Sequence, residues 1–181
     1  MRTKLLIAAA SLTGAVLLSG CSTPLSAPML IFPDVTNKTP LMSVRSIKVR
    51  DVRDNKALAV INGEAAPATP DLTTTLENWL NESISVNRNG RLSLDINIQN
   101  YASYVKQDAM HFNAESIMAW QVQLSDDKGF SWIKPYQSTI NQTGAMTMSK
   151  REIEAHLNKM ANNLLRETLK DPEFQSALSY R

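Results

Sequence analysis

The chain has 181 residues, 43% hydrophobic and 20% charged, which excludes a disordered or low-complexity protein and fits a globular domain. Its 19 Lys and Arg against 17 Asp and Glu give a formal charge of +2. The surplus is Arg2 and Lys4, so residues 21–181 carry 17 charges of each sign, and bulk charge argues neither for nucleic acid nor for a polybasic grip on lipid headgroups.

Arg2 and Lys4 precede an apolar run from Leu5 to Leu18, broken by Ser11, Thr13 and Gly14. A membrane-spanning helix needs about 20 apolar residues. This shorter run suits a secretory signal over residues 1–20. It closes in Leu18-Ser19-Gly20-Cys21, the pattern of a bacterial lipobox. Cleavage is expected between Gly20 and Cys21, with S-diacylglycerol and N-acyl (palmitate-type) groups added to Cys21. One acyl chain binds a membrane only marginally and two or more anchor stably, so a triacylated Cys21 is expected to hold the protein on the membrane. In the sorting rule of many Gram-negative lipoproteins, Asp after the cysteine retains the protein at the inner membrane. Ser22 therefore points to the periplasmic leaflet of the outer membrane. Cys21 is the sole cysteine, so its lipidation removes disulfides, a thiol nucleophile and thiolate metal ligation together.

Residues 21–40 read as a lipidated tether carrying Pro24, Pro28, Pro33 and Pro40, with an apolar patch at Met29-Leu30-Ile31-Phe32 that suits docking or the start of a strand. Residues 41–181 read as the periplasmic domain. Ser43–Arg53 alternates as a first strand, with Ile47 and Val49 on one face and Lys48 and Arg50 on the other. Leu58 and Val60 offer a short strand before an Asn62-Gly63 turn. Thr69-Pro70-Asp71 suggests an N-cap at Thr69, and Leu72, Leu76, Trp79, Leu80 and Ile84 form one helical stripe. Leu92, Leu94, Ile96 and Ile98 then alternate as a half-buried strand.

A second strand places Phe112, Ala114, Met118, Trp120, Val122 and Leu124 inward, and a third follows the Asp126–Gly129 loop through Phe130, Trp132, Tyr136 and Ile140. Ser149-Lys150-Arg151-Glu152 is a capping box opening a helix with the stripe Ile153, Leu157, Met160, Ala161, Leu164 and Thr168. Asp171-Pro172 ends it and can start a short helical turn through Phe174 and Leu178. The expected fold is α+β: an antiparallel sheet of about four strands, in β-α-β-β-β-α order, with two amphipathic helices on one face.

The lipobox, the segment from Val49 through Asp51-Val52-Arg53 to Ala57-Leu58, the Leu72–Ile84 helix, the Leu92–Ile98 strand and the C-terminal helix together resemble the YajG family of uncharacterised Gram-negative outer-membrane lipoproteins. The resemblance runs the length of the chain in element order, with Asp51-x-Arg53 before Ala57-Leu58 as its sharpest local piece. It implies an outer-membrane lipoprotein with no established catalytic activity.

Candidate chemistry is sparse. His111 and His156 are the only histidines, with no metal-ligand spacing, and six glycines form no phosphate-cradling loop. Nothing resembles a nucleophile elbow, and Asp126-Asp127 suits turn chemistry better than paired catalytic acids. No enzyme activity, cofactor or metal is expected. The best surface candidate is the basic stretch Arg45, Lys48, Arg50, Arg53 and Lys56, suited to phosphates, cell-wall carboxylates or an acidic protein. Its plainer reading is a solvated edge strand, with Asp51 and Arg53 as a local ion pair. Tyr101 and Tyr104 straddle a change of strand parity, so at least one should be exposed. The expected role is a binding or scaffolding module of the cell envelope, its partner an envelope protein complex or cell-wall polymer. A glycan- or lipid-binding module would need an apolar pocket between sheet and helices. A hydrolase would need a His-carboxylate-Ser cluster in a cleft.

Overall fold

Residues 93–145 alternate polar and apolar side chains almost throughout, and they form three long strands that frame the fold. The computed structural model describes residues 43–66 and 71–179; the signal segment, Cys21, the tether and Thr69-Pro70 lie outside the described residues. Strands β1 (Ser43–Val44), β2 (Ser46–Asp51), β3 (Ala59–Ile61) and β4 (Glu64–Ala66) lead to helix α1 (Leu72–Ser83). Then come β5 (Ser85–Val86), β6 (Ser93–Gln107), β7 (His111–Ser125) and β8 (Ser131–Ala145), and helices α2 (Lys150–Lys170) and α3 (Pro172–Leu178).

β6, β7 and β8 pair antiparallel along their whole length, as the alternation predicts. The remainder of the sheet corrects the expectation of about four antiparallel strands. It has six strands and is mixed, because β2 and β3 both run parallel to β6 on one edge. β2 pairs with Ser93–Ile98 and β3 with Ser103–Val105, and β4 folds back on β3. Parallel pairing requires a long crossover, and residues 52–92, which contain α1, supply it. Two partners fit end to end because β6 is longer than the Leu92–Ile98 alternation suggests. A bulge at Gln99 shifts the register between Ile98 and Asn100, and the inward set resumes at Tyr101.

Local chemistry sets the turns and caps. Asn62 and Gly63 have φ of 51° and 89°, the left-handed pair that a two-residue hairpin turn requires. Asp71, not Thr69, caps α1: its carboxylate accepts from the Thr73 N–H at 3.1 Å. The Ser149–Glu152 capping box forms as expected, and Asp171 caps α3, the short helical turn anticipated after Asp171-Pro172, which adds a third helix to the two amphipathic ones. β1 and β5 make a small parallel ribbon. Gly90 lies so close beneath it that a Cβ would stand 2.8 Å from the Asn87 carbonyl and 3.1 Å from the Arg45 nitrogen.

Both long helices cover the same face of the sheet, as expected. Leu72, Leu76, Trp79 and Leu80 of α1 and Ile153, Leu157, Met160, Ala161 and Leu164 of α2 join the inward residues of β6 and β7 in one core. Burying each large apolar side chain contributes about 1.5–3 kcal/mol. Tyr101 and Trp120 are fully enclosed and keep their polar tips paired, Tyr101 to the Leu157 carbonyl at 3.1 Å and Trp120 to the Thr168 hydroxyl at 3.2 Å.

Candidate interaction surfaces

The basic stretch does not form one patch. Alternation sends Lys48 and Arg50 to the face of β2 away from the helices, where Arg50 pairs with Asp95 at 2.9 Å. The Lys48 backbone pairs with β6, and its side chain makes no hydrogen bond or ion pair among the described residues. Arg45, at the kink between β1 and β2, reaches Asp127 in the β7–β8 hairpin and the Ser93 hydroxyl. The hydrogen bond and charge of Asp127 raise the Arg45 pKa, and the same bond lowers that of Asp127. Lys56 donates to the Asp51 carbonyl at 2.8 Å and pairs with its carboxylate.

Arg53 has turned inward and is 5% exposed. Its Nε and Nη2 grip both oxygens of Asp51, at 2.9 and 2.8 Å. The remaining N–H groups donate to the carbonyls of Tyr101 (2.7 Å), Lys56 (3.2 Å) and Ala57 (3.3 Å). The location explains the arrangement. β2 leaves β6 at Ile98 and β3 joins it at Ser103, so Tyr101 faces a gap where no strand lies alongside. The guanidinium, with donors in a fixed fork, stands in for the missing backbone. Burial alone would raise the Asp51 carboxyl, but hydrogen bonds from Arg53 and Lys56 outweigh it and hold the pKa below the ordinary value. The local Asp51–Arg53 pair expected from strand parity is present, but within the structure rather than on its surface.

The histidines make no catalytic cluster among the described residues. His156 on α2 hydrogen-bonds Gln142 and lies 3.4 Å from the Ser116 hydroxyl, which shares a 2.7 Å bond with Ser103. Both serines are fully buried, so the hydroxyl beside the imidazole is closed to substrate. Burial and the neighbouring Lys159 lower the His156 pKa. His111 donates its backbone N–H to Asp108 in the β6–β7 turn. Asp126 performs turn chemistry, accepting from the Phe130 and Lys128 N–H groups and pairing with Arg91 at 2.8 Å. No group of three His, Cys, Asp or Glu gathers at metal-binding distance among the described residues, and no helix there is long and apolar enough to cross a membrane.

The space between sheet and helices is occupied by the apolar core. Openings lie at the margins instead. One groove of about 680 Å³ runs between the Asn62-Gly63 turn and the β6–β7 turn, beside Lys106, Asp108 and His111. Another of about 410 Å³ lies beside Tyr136, Glu167 and Asp171, where Asp171 binds both Tyr136 and Lys134.

Among the described residues, no helix covers the sheet face opposite α1 and α2. Register places Arg50, Asn97, Gln121 and Pro135 in one row across it, and Lys48, Asp95, Gln123 and Ile133 in the next. Beyond the bulge come Asn100, Ala119 and Gln137, and then Tyr104 beside Glu115 and Asn141. Tyr104 is 38% exposed and Tyr101 is buried on the other side, the split that their parity required. The residue-level signals missed in the sequence were Ser103 and Ser116, polar residues at inward positions, and the concentration of Asn and Gln at outward ones.

Residues 34–179 match a family model described as uncharacterized lipoprotein. No curated protein matches the chain. Among solved structures, the chain is similar to protein XCC0632 from Xanthomonas campestris, with 11% identity and a TM-score of 0.46, over 83% of this chain and 97% of that one. It is also similar to a minor lipoprotein from Acinetobacter baumannii, with 12% identity and a TM-score of 0.40, over 70% of this chain and 91% of the other.

Proposed function

We propose that this chain, which belongs to a family of uncharacterised lipoproteins, is a membrane-anchored scaffolding module of the cell envelope that receives its partner on the open face of its sheet. The anchor is lipidated Cys21, and the place is the periplasmic leaflet of the outer membrane. One observation carries the reading: helices seal one face of the sheet, while the other is uncovered among the described residues. A broad amide-rich surface without an enclosed cleft suits binding an extended partner rather than turnover of a small molecule.

Lys48 and Arg50 border that surface and are the part of the basic stretch placed to take part in it. The other reading with support is a glycan, because exposed Tyr104 stands on the same face as Asn100, Gln121 and Gln137, an aromatic surface among hydrogen-bonding amides.

The test uses the full chain in cells. Cys21→Ala is expected to move the protein out of the membrane fraction with its domain folded; retention on the membrane would overturn the anchor. Photo-crosslinkers at Gln121 and Gln137 are expected to yield a discrete adduct absent from Arg166, which is exposed on α2. A protein adduct supports scaffolding, and a glycan adduct moves the function to polymer binding. Equal labelling from Arg166 would remove the open face as the site.

A further inference from the structure

The outer edge of β8 has no partner strand among the described residues. Natural sheets guard such edges with charges, prolines, bulges or a covering element, because unpaired N–H and C=O groups are a template for another strand. β8 has little of this. Its register with β7 is unbroken over fifteen residues. Its one charged residue, Lys134, is engaged by Asp171 at 2.9 Å and Glu173 at 3.0 Å, and Pro135 stands near its start. From Tyr136 to Ala145 the strand has neither charge nor proline.

We propose that this edge pairs with β8 of a second copy of the chain, antiparallel, around a two-fold axis at Ile140. Charge favours the second copy as occupant: a neutral run meeting itself brings no like charges together. Parity restricts the register. Directly paired residues in an antiparallel ladder point to the same face, so the axis must pass through a residue rather than between two. Centred on Ile140, the ladder pairs Tyr136 with Gly144, Gln137 with Thr143, Ser138 with Gln142 and Thr139 with Asn141. Ile140, partly buried against the core, then meets its own copy, and Pro135 falls at the margin. Centring on Asn141 would instead set Ile140 against Gln142. The two sheets become continuous, with their open faces side by side, and an isologous closed pair consumes both free edges.

The test is the mass of the full-length chain in detergent by sedimentation equilibrium across a dilution series. Two copies are expected at high concentration, giving way to one on dilution. Thr139→Lys combined with Asn141→Lys changes two exposed open-face positions and sets like charges opposite each other. It is expected to raise the dissociation constant about tenfold while the circular dichroism of the chain is unchanged. Mixing it with Thr139→Glu/Asn141→Glu is expected to restore pairing between unlike copies. Under oxidation Ile140→Cys is expected to link two copies, and Gln121→Cys, on the open face of β7, is not. A wild-type chain monomeric throughout, a lysine variant that associates like wild type, or equal crosslinking at Gln121→Cys would each overturn the proposal.

Discussion

Along the β2–β3 edge, side chains finish the sheet. The Val49 N–H, turned away from β6, donates to Glu77 of α1 at 2.9 Å. Arg53 fills the gap between the two short strands, and Arg50 and Lys56 are held by Asp95 and Asp51. Along β8 there is one early proline, one engaged lysine and a neutral run of backbone. The contrast teaches that part of the basic stretch, Arg53 with Lys56 beside it, serves to finish an edge. A strand with unremarkable composition carries the open one.

The comparison breaks most severely at Arg53. Arg53→Ala would leave the Asp51 carboxylate to Lys56 alone and uncover the Tyr101 carbonyl, and the expected loss is about 3 kcal/mol, the lower end for breaking a buried pair, read from chemical denaturation. Arg53→Lys should recover little, because one ammonium cannot reproduce the fork. A loss within about 0.5 kcal/mol, the range of ordinary surface substitutions, would show that the gap needs no plug.

Acid tests both edges together. Hydrogen bonds from Lys134 and Tyr136 lower the Asp171 carboxyl to about 2, and Asp51 is also lowered. Because these folded-state values lie below those of the unfolded chain, the stability they contribute is complete above the ordinary carboxylate range. It is lost as pH falls from about 4 toward 2. Thermal melts across that interval should decline, and Asp171→Asn should flatten part of the decline. An acid limb unchanged in Asp171→Asn would remove Asp171 as a contributor.

Within β8, Gly144→Ala would place a Cβ 2.5 Å from the Phe112 ring. The expected cost is about 1–3 kcal/mol, as for other overpacked sites, with a changed near-ultraviolet signal if the ring turns. At the guarded edge, Glu77→Ala removes the acceptor for Val49 and should cost about 1 kcal/mol, together with faster exchange of the Val49 amide. Smallest of all, Thr139→Lys on the open edge should alter the stability of a single copy by less than about 0.5 kcal/mol. A larger loss would mean that the β8 edge is already engaged within its own chain.

Much of the fold was legible in short stretches. The alternation of Leu92–Ile98 and Phe112–Leu124, the Asp126–Gly129 loop and the Ser149–Glu152 box each express their physics within one element, so the meander and α2 could be read directly. The Thr69-Pro70-Asp71 cap was misplaced because three residues in a row suit a helix start, and only the Thr73 bond to Asp71 distinguishes them. The length of β6 was hidden by its bulge, which breaks the alternation that identifies a strand. The candidate site was less legible still: Arg45, Lys48, Arg50, Arg53 and Lys56 form one run in sequence, yet they separate into a hairpin clamp, an open face and a buried knot.

Sequence alone determined the lipoprotein character, now matched by the family of residues 34–179, along with the α+β class, the central meander and the opposite fates of Tyr101 and Tyr104. Periodicity, caps and turns act between residues close in the chain, so they can be read from it. Tertiary structure decided that β2 and β3 share one edge of β6, that Arg53 is buried between them, and that Arg45 meets Asp127 across 82 positions. Those outcomes depend on which backbone groups the rest of the sheet leaves unpaired, and no local pattern records that.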